Sequence, residues 1–183
     1  MNATRSNNRF HPFSIAIHWL TLVLLAVVYA LIELRKYYPK GSEIREGLKT
    51  WHFIFGLTIF AIVLIRIVVR LMHRAPPITP KPPVWTWPFR EGMHLALYLF
   101  LIAMPILGWM TLSAKGKTIP FWGLHLPPIH IVDKALAKQL EATHATIAYV
   151  GLALIALHTI AALIHHYILR DDALMRMLPE RKG

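Results

Sequence analysis

The sequence predicts an all-α integral membrane protein, a four-transmembrane-helix up-down bundle. Of its 183 residues, 56% are hydrophobic and only 16% are charged, well below the roughly 25% of charged residues in soluble domains. Four apolar segments are each long enough to cross a bilayer as a helix. The connections between them are short, which is typical of successive helices that run antiparallel.

The predicted membrane spans cover approximately residues 14–34, 51–71, 92–112 and 142–169 of a single transmembrane domain, residues 1–183. Residues 75–90 hold six prolines and are expected to form an extended connector. The stretch after the third span should rest on the membrane surface as a loop. A short helix from about Val132 is expected to lead into the fourth span, and residues 170–183 should form a polar tail.

The cysteine content and the charge exclude several classes of protein. The chain has no cysteine, which excludes disulfide bonds, iron–sulfur clusters, thiolate catalysis and cysteine-based zinc sites. The net charge of +11 would suggest nucleic-acid binding in a soluble protein. Here the basic residues lie between the apolar segments, where the positive-inside rule and anionic lipid account for them. We therefore expect a lipid bilayer, and no nucleic acid, as the partner.

Histidines inside the fourth span point to bound cofactors. His144, Gly151, His158 and His165 follow one another at intervals of seven residues, so they lie on one narrow helix face. An ionisable residue inside a span suggests a functional site, although a single histidine can also serve only in helix packing. His144 and His158 are about 21 Å apart along the axis, which suggests two cofactors at different depths.

The up-down topology pairs these histidines with histidines of the first two spans. His18 lies near the start of the first span, and His52 lies near the start of the second span at the opposite face. His52 therefore shares a depth with His144, and His18 shares one with His158. His165 could replace His158, but it lies about 31 Å from His144 along the axis, too deep to match His18.

Two imidazole pairs in an apolar core fit two b haems, each with two neutral nitrogen ligands on opposite sides of the iron. Zinc or copper would need a third or fourth polar ligand at each depth. The third span has only His94 near its start and is expected to contribute no histidine at the depth of a second ligand. Covalent haem attachment requires cysteine. His125 and His130 lack an accompanying carboxylate cluster and are interpreted as surface histidines.

Short motifs cover nearly the whole chain. They are SIAIHW around His18, WH at Trp51-His52 with Gly56, Arg66 and Arg70, PPITPKP, HLALY, PFWGLHLP, H-x13-H from His144 to His158, HHY from His165, and LMRMLP. Together they resemble the bacterial di-haem cytochrome b561 family, in its superoxide oxidase type. One departure is Thr143, which stands where the compared family member has tryptophan before the histidine. The histidine itself is retained.

The resemblance implies an enzyme of the bacterial inner membrane that oxidises superoxide to dioxygen at the periplasmic face. Electrons would pass through the two haems to ubiquinone near the cytoplasmic side, with no protein partner required. Basic residues that could attract superoxide are Arg35, Lys36, Lys40, Arg45, Lys49, Lys115 and Lys117. Candidates for quinone binding are Lys81, His94, His165 and His166. Eleven lysines and arginines on the side of the termini against nine opposite favour cytoplasmic termini.

Two other functions fit the same sequence. The chain could be a cytochrome b subunit that oxidises quinol and passes electrons to a periplasmic partner, which would dock on residues 113–140. It could also be a haem-carrying membrane protein without turnover. A proton or metal transporter is disfavoured, because the four spans contain no carboxylate apart from Glu33 at the end of the first.

Overall fold

The computed structural model describes residues 9–73 and 75–179. Within these residues, four helices are long and apolar enough to cross a membrane, which confirms the predicted all-α membrane bundle. They are α1 (Pro12–Leu34), α2 (Glu43–Met72), α3 (Thr86–Ala114) and α4 (Lys134–Tyr167). Four basic residues of the charge comparison lie outside the described residues, namely Arg5, Arg74, Arg181 and Lys182.

The helices pack around an apolar core. Helix α1 contacts α2, α3 contacts α4, and α2 contacts α3, while the Tyr29 hydroxyl of α1 donates a hydrogen bond to the Ala148 carbonyl of α4 (2.6 Å). A buried cluster from α2 and α3 forms the centre of the bundle: Ile59, Val63, Phe100 and Leu101. Helix α4 approaches this centre through Gly151, where an added Cβ would lie 2.0 Å from the Phe100 ring.

The first two helices begin before the predicted spans because their first turns are well capped. Pro12 is the first residue of α1. An N–H at this position would have no acceptor within the helix, so proline costs no helical hydrogen bond there. Helix α2 begins at Glu43, since the Ser42 hydroxyl accepts a hydrogen bond from the Arg45 N–H (3.4 Å). The negative charges of Glu43 and Glu46 in its first turn interact favourably with the positive end of the helix dipole.

The boundaries of α3 and α4 correct two predictions. Residues 75–90 are not extended throughout, because α3 already begins at Thr86 and Pro88 fits the first turn of a helix. No separate short helix precedes α4, which is continuous from Lys134. Asp133 caps it by accepting hydrogen bonds from the N–H groups of Ala135 and Leu136 (both 2.9 Å). Helix α4 ends at Tyr167, two residues before the predicted end of the span.

A small hairpin replaces part of the predicted surface loop between α3 and α4. Strands β1 (Ile119–Phe121) and β2 (Leu124–Leu126) pair antiparallel. Trp122 and Gly123 form the two-residue turn with positive φ angles of 47° and 83°, as short hairpin turns require. The Trp122 indole N–H donates to the Thr58 hydroxyl (2.9 Å), which fastens the hairpin to α2.

The described residues after α4, up to residue 179, pack against the rest of the fold, whereas the sequence predicted only a polar tail. The Trp19 indole N–H of α1 donates to the Met177 carbonyl (2.7 Å), and the Phe10 N–H donates to the Arg176 carbonyl (3.3 Å). Arg176 is buried and donates to the Pro76 carbonyl of the connector. We call this side of the bundle the termini end. The opposite side, with residues 35–42 and the hairpin, is the hairpin end.

Candidate functional site

Two pairs of histidines face each other inside the bundle. At the hairpin end, the ring centroids of His52 on α2 and His144 on α4 are 6.3 Å apart. At the termini end, those of His18 on α1 and His158 on α4 are 6.4 Å apart. All four side chains are half-buried. Each pair therefore joins the two residues expected from their depth in the sequence.

One histidine of each pair has a hydrogen-bond partner at Nδ1, which is an acceptor for His52 and a donor for His18. His52 Nδ1 lies 3.0 Å from the Val28 carbonyl, and because a carbonyl only accepts, Nδ1 carries the hydrogen and Nε2 keeps its lone pair. A backbone carbonyl is a common partner for the second nitrogen of a metal-binding histidine. His18 Nδ1 lies 3.1 Å from an Arg66 guanidinium nitrogen, which only donates. Neutral His18 therefore carries its hydrogen at Nε2 in this conformation, and binding a metal through Nε2 would require the other tautomer, with the hydrogen on Nδ1.

The spacing of each pair fits one metal ion between two imidazoles. A ring nitrogen binds a first-row metal at about 2.0–2.1 Å, and the ring centre lies about 1.1 Å further out, which gives centroids roughly 6.3 Å apart across one ion. The ring planes within the pairs differ by 66° and 61°, which two rings on a common axis can adopt by rotation. Among the described residues, no group of three or more histidines and carboxylates could hold a metal. The donor set therefore suits haem iron, which needs only two protein ligands.

A cavity of about 430 Å³ borders the hairpin-end pair, within the usual 300–1,000 Å³ of cofactor sites. Gly56 and Gly108 line it together with His52 and His144. A Cβ on Gly56 would meet no atom within 4 Å, and one on Gly108 would lie 3.5 Å from the His144 ring. The buried Nδ1 of His144 has no hydrogen-bond partner among the described residues. The space and the donors beside this pair fit a flat macrocycle.

Charged side chains surround the same cavity at the hairpin end. Five of the seven predicted basic residues line it, together with two acidic residues: Arg35, Lys36, Lys49, Lys115, Lys117, Glu33 and Glu141. Three of the lysines form ion pairs, Lys36 with Glu33 (2.5 Å), Lys49 with Glu46 (2.7 Å) and Lys115 with Glu141 (2.6 Å). We call these seven cavity-lining residues the charged rim.

Two of the predicted basic residues are not part of the charged rim. Lys40 is exposed in the connection between α1 and α2. Arg45 instead donates hydrogen bonds to the carbonyls of Arg35 (2.7 Å) and Tyr38 (2.8 Å). Arg45 therefore holds the backbone of that connection.

A second cavity of about 330 Å³ lies beside the charged rim. Lys134 and Lys138 of α4 line it, and it shares Lys115, Lys117 and Glu141 with the first cavity. Lys134, Lys138 and Glu141 lie on one face of a helix at i, i+4 and i+7. The sequence shows this spacing, so it would have been sufficient to predict that Lys134 and Lys138 lie on the same side of α4 as Glu141 of the charged rim.

His94 lies at the depth of the termini-end pair, which corrects the expectation for the third span. Its ring centroid is 5.7 Å from that of His158, and its buried Nδ1 has no hydrogen-bond partner among the described residues. The reason is the early start of α3, which begins at Thr86 and therefore carries His94 about 12 Å into the bundle. His94 thus contacts the pair rather than the surface of the bundle.

The other three quinone candidates lie at the termini end. His165 Nδ1 donates to the carboxylate of Asp171 (2.6 Å), and the His166 ring packs on Tyr167 with centroids 4.7 Å apart. Lys81 is exposed in the connector. His125 and His130 lie at the hairpin end, and His130 Nδ1 donates to the Ile131 carbonyl (2.8 Å).

Comparison with known proteins extends over almost the entire chain. The profile of the prokaryotic cytochrome b561 family matches residues 9–180. The chain is 35% identical to Cytochrome b561 homolog 1 of Escherichia coli K12 over 175 residues, 96% of this chain and 99% of that protein. It is 34% identical to the Probable superoxide oxidase CybB of Yersinia pestis over 177 residues, 97% and 99% of the two chains.

A third relative is Cytochrome b561 homolog 2 of Escherichia coli K12, 32% identical over 187 residues, 97% of this chain and 95% of that protein. Membership of such a family implies a b-type haem, which agrees with the donor set of the histidine pairs. The four apolar helices agree with a multi-pass membrane protein. The chain belongs to the prokaryotic cytochrome b561 family of membrane electron-transfer proteins.

Proposed function

We propose that the chain is a superoxide:ubiquinone oxidoreductase, and the observation that carries this proposal is the cavity at the hairpin end. Five basic and two acidic residues line it, and it reaches His52 and His144. A positively charged, apolar-walled cavity raises the local concentration of a small anion. The name of the Yersinia pestis relative, Probable superoxide oxidase CybB, supports superoxide as that anion.

The histidine pairs are proposed to hold two b haems, one between His52 and His144 and one between His18 and His158. Bound haem b supplies a one-electron ferric–ferrous couple that lets electrons pass between the two ends of the bundle. The Val28 carbonyl orients the His52 ring through Nδ1. The buried apolar cluster at the centre of the bundle keeps water out of the space between the pairs.

The proposed reaction balances two superoxide anions against one quinone. At the hairpin end each superoxide loses one electron and leaves as dioxygen. At the termini end one ubiquinone gains two electrons and two protons and leaves as ubiquinol. The charged rim attracts the anionic substrate, while the neutral product dioxygen has no charge to hold it there.

Ubiquinone is proposed to bind at the termini end, where Lys81, His94, His165 and His166 supply nitrogen donors. A quinone carbonyl accepts hydrogen bonds, and its reduction needs a proton source, which histidine and lysine provide. Of the four, His165 is held by a buried carboxylate. His94 contacts His158 inside the bundle, so it is better placed to support that ring.

We further propose that the protein resides in the bacterial inner membrane with its hairpin end in the periplasm. Counted along the sequence, eleven basic residues fall on the side of the chain termini and nine on the other side, which favours cytoplasmic termini under the positive-inside rule. In this orientation superoxide arrives at the hairpin end, and the nine basic residues on that side attract it.

A second candidate is quinol oxidation with electron delivery to a periplasmic protein. The observation in its favour is the exposed apolar surface of the hairpin end, where Trp122, Leu124 and Ile131 are 55%, 65% and 80% exposed. Exposed apolar patches of this kind occur at partner surfaces, and also at the level of lipid headgroups.

The experiment that separates the two candidates uses the purified, haem-loaded protein alone in lipid vesicles. An enzymatic superoxide source is added with a short-chain ubiquinone, and both ubiquinol and dioxygen are quantified. We expect one ubiquinol for every two superoxide anions consumed, and no ubiquinol with His52→Ala. If superoxide is not consumed faster than it dismutates spontaneously, the superoxide proposal is wrong.

A further inference from the structure

Four lysines meet in the second cavity at the hairpin end, the one of about 330 Å³. They are Lys115 and Lys117 just after α3, and Lys134 and Lys138 in the first two turns of α4, and we call them the lysine cluster. Glu141 also lines this cavity, and its carboxylate forms an ion pair with Lys115 (2.6 Å). The wall of the cavity therefore keeps three lysine charges that its one acidic residue does not offset.

Main-chain hydrogen bonds hold the two halves of the lysine cluster beside each other. Gly116, with a φ of 65°, lets the chain turn at the end of α3. The Lys117 N–H then donates to the Leu112 carbonyl (3.0 Å), the six-to-one bond of a Schellman motif. Just before α4, the Asp133 N–H donates to the Ala114 carbonyl of α3 (2.9 Å). The end of α3 and the start of α4 are thereby fixed around the cavity without help from the lysine side chains.

Three members of the lysine cluster have no ion-pair partner. Among residues 9–73 and 75–179, no carboxylate lies within ion-pair distance of Lys117, Lys134 or Lys138. The carboxylate of neighbouring Asp133 is occupied with capping α4. Ammonium groups that share a cavity repel one another, and an anion between them removes this repulsion. A phosphate group suits such a site, since its charged oxygens accept hydrogen bonds from several lysines at once.

An exposed apolar surface adjoins the lysine cluster. Ile129, Ile131 and Val132 are exposed in the segment that leads into α4. Val132 lies against the turn after α3, because a Cβ added to Gly116 would be 3.1 Å from its Cγ2. Inorganic phosphate makes no use of an apolar surface, whereas the acyl chains of a phospholipid cover it. Charge and apolar surface together therefore favour a lipid over a soluble anion.

We propose that the lysine cluster binds the phosphate of an anionic phospholipid, whose acyl chains lie on Ile129, Ile131 and Val132. Basic side chains at the end of a membrane helix attract anionic lipid in this way. The site adjoins the charged rim, with which it shares Lys115 and Lys117, but Lys134 and Lys138 line this cavity alone. The binding of this lipid does not depend on the proposed reaction with superoxide.

The first experiment maps the site through the reactivity of single lysines. The haem-loaded protein is placed in lipid nanodiscs of phosphatidylcholine, with or without about 30% phosphatidylglycerol, and treated with a water-soluble acetylating reagent. Peptide mass spectrometry then gives the rate at each lysine. We expect Lys134 and Lys138 to react at least about threefold more slowly in the anionic discs, because the lipid phosphate holds their ammonium groups.

Two controls belong to this experiment. Lys40 is exposed at the same end but does not line the cavity, so it reports the general effect of an anionic surface and should slow by less than half as much. Inorganic phosphate at millimolar concentration, added to the neutral discs, presents the same oxygens without acyl chains. It should leave the rates at Lys134 and Lys138 unchanged.

The second experiment measures the affinity directly. The haem-loaded, delipidated protein is titrated with phosphatidylglycerol and the bound lipid is counted by native mass spectrometry. Lys134→Gln combined with Lys138→Gln should weaken binding at least about fivefold, because two charge-assisted contacts are lost. Lys36→Gln combined with Lys40→Gln removes the same charge from the same end outside this cavity and should keep the affinity within about twofold of wild type. All three proteins are compared at equal haem content, so that loss of the fold does not imitate loss of the site.

Three results would overturn the lipid site. Equal slowing of Lys134, Lys138 and Lys40 in the anionic discs would mean a uniform effect of the surface. Protection of Lys134 and Lys138 by inorganic phosphate in the neutral discs would assign the cavity to a soluble anion. Equal affinities of the two double variants would mean that lipid binds elsewhere. Since neither superoxide nor quinone is present, none of these results alters the proposed reaction.

Discussion

Gly151 is the residue that sets how closely α4 approaches the centre of the bundle. An added Cβ at this position would lie 2.0 Å from the ring of buried Phe100. We expect Gly151→Ala to destabilise the protein by about 1–3 kcal/mol, as overpacking a core does. The melting temperature of the purified protein, followed by circular dichroism, measures this effect.

Gly47 provides the matched control for that substitution. It lies inside α2, and an added Cβ would meet no atom within 4 Å. Gly47→Ala should therefore raise stability by about 0.5–1 kcal/mol, since alanine loses less conformational freedom than glycine in a helix. If Gly151→Ala melts at or above the wild-type temperature, the close contact between Gly151 and Phe100 is not needed.

At the residue scale, the sequence was most informative about the histidines. The seven-residue spacing of His144 and His158 on one helix, with the up-down topology, predicted which partners lie at each depth, and the ring distances agree with those pairs. The hydrogen bond from Arg66 to His18 and the contact of His94 with His158 were not predicted. Both depend on the rotation and the vertical offset of neighbouring helices, which the pattern within one helix does not determine.

At the scale of elements, the charged rim is assembled from the end of α1 and the residues just after it, the second turn of α2, the residues just after α3, and Glu141 of α4. Lys117 lines both cavities and has no carboxylate within ion-pair distance among the described residues. We expect Lys117→Gln to slow haem reduction by superoxide severalfold at low ionic strength. The difference should vanish toward 1 M salt, where the Debye length is about 3 Å.

Lys40 is the control for this prediction, because it is exposed at the same end of the bundle but does not line the cavity. Lys40→Gln removes the same charge and should change the rate by less than half as much. Stopped-flow measurements across a series of salt concentrations compare the two variants. Equal effects of the two substitutions would mean that only the net charge of the hairpin end matters.

Element boundaries were harder to predict than the existence of the elements. Apolar length predicted four helices, but the early start of α3 depends on Pro88 fitting a first turn. The segment after α4 is rich in charge in the sequence, yet Arg176 is buried and bonded to the connector. Burial lowers the pKa of its guanidinium group. Such long-range contacts leave no local pattern in the sequence.

At the scale of the whole molecule, the bundle joins two chemically different ends through an apolar centre. The hairpin end carries the charged rim, which is the proposed site for superoxide, and the termini end carries Lys81, His165 and His166, which are proposed donors for ubiquinone. The composition and the four apolar segments were sufficient to predict this architecture. The composition does not identify the substrates; superoxide and ubiquinone are implied by the resemblance of the motifs to the family, and both stay predictions.

The two independent haem sites are tested most directly by a haem count combined with a reduced-minus-oxidised absorption spectrum of the purified protein, for wild type, His52→Ala and His158→Ala. We predict two b haems per chain in wild type and one in each variant, since each substitution removes one ligand of a different pair. A single haem in wild type, or the loss of both haems in either variant with the fold intact, would contradict two independent haem sites.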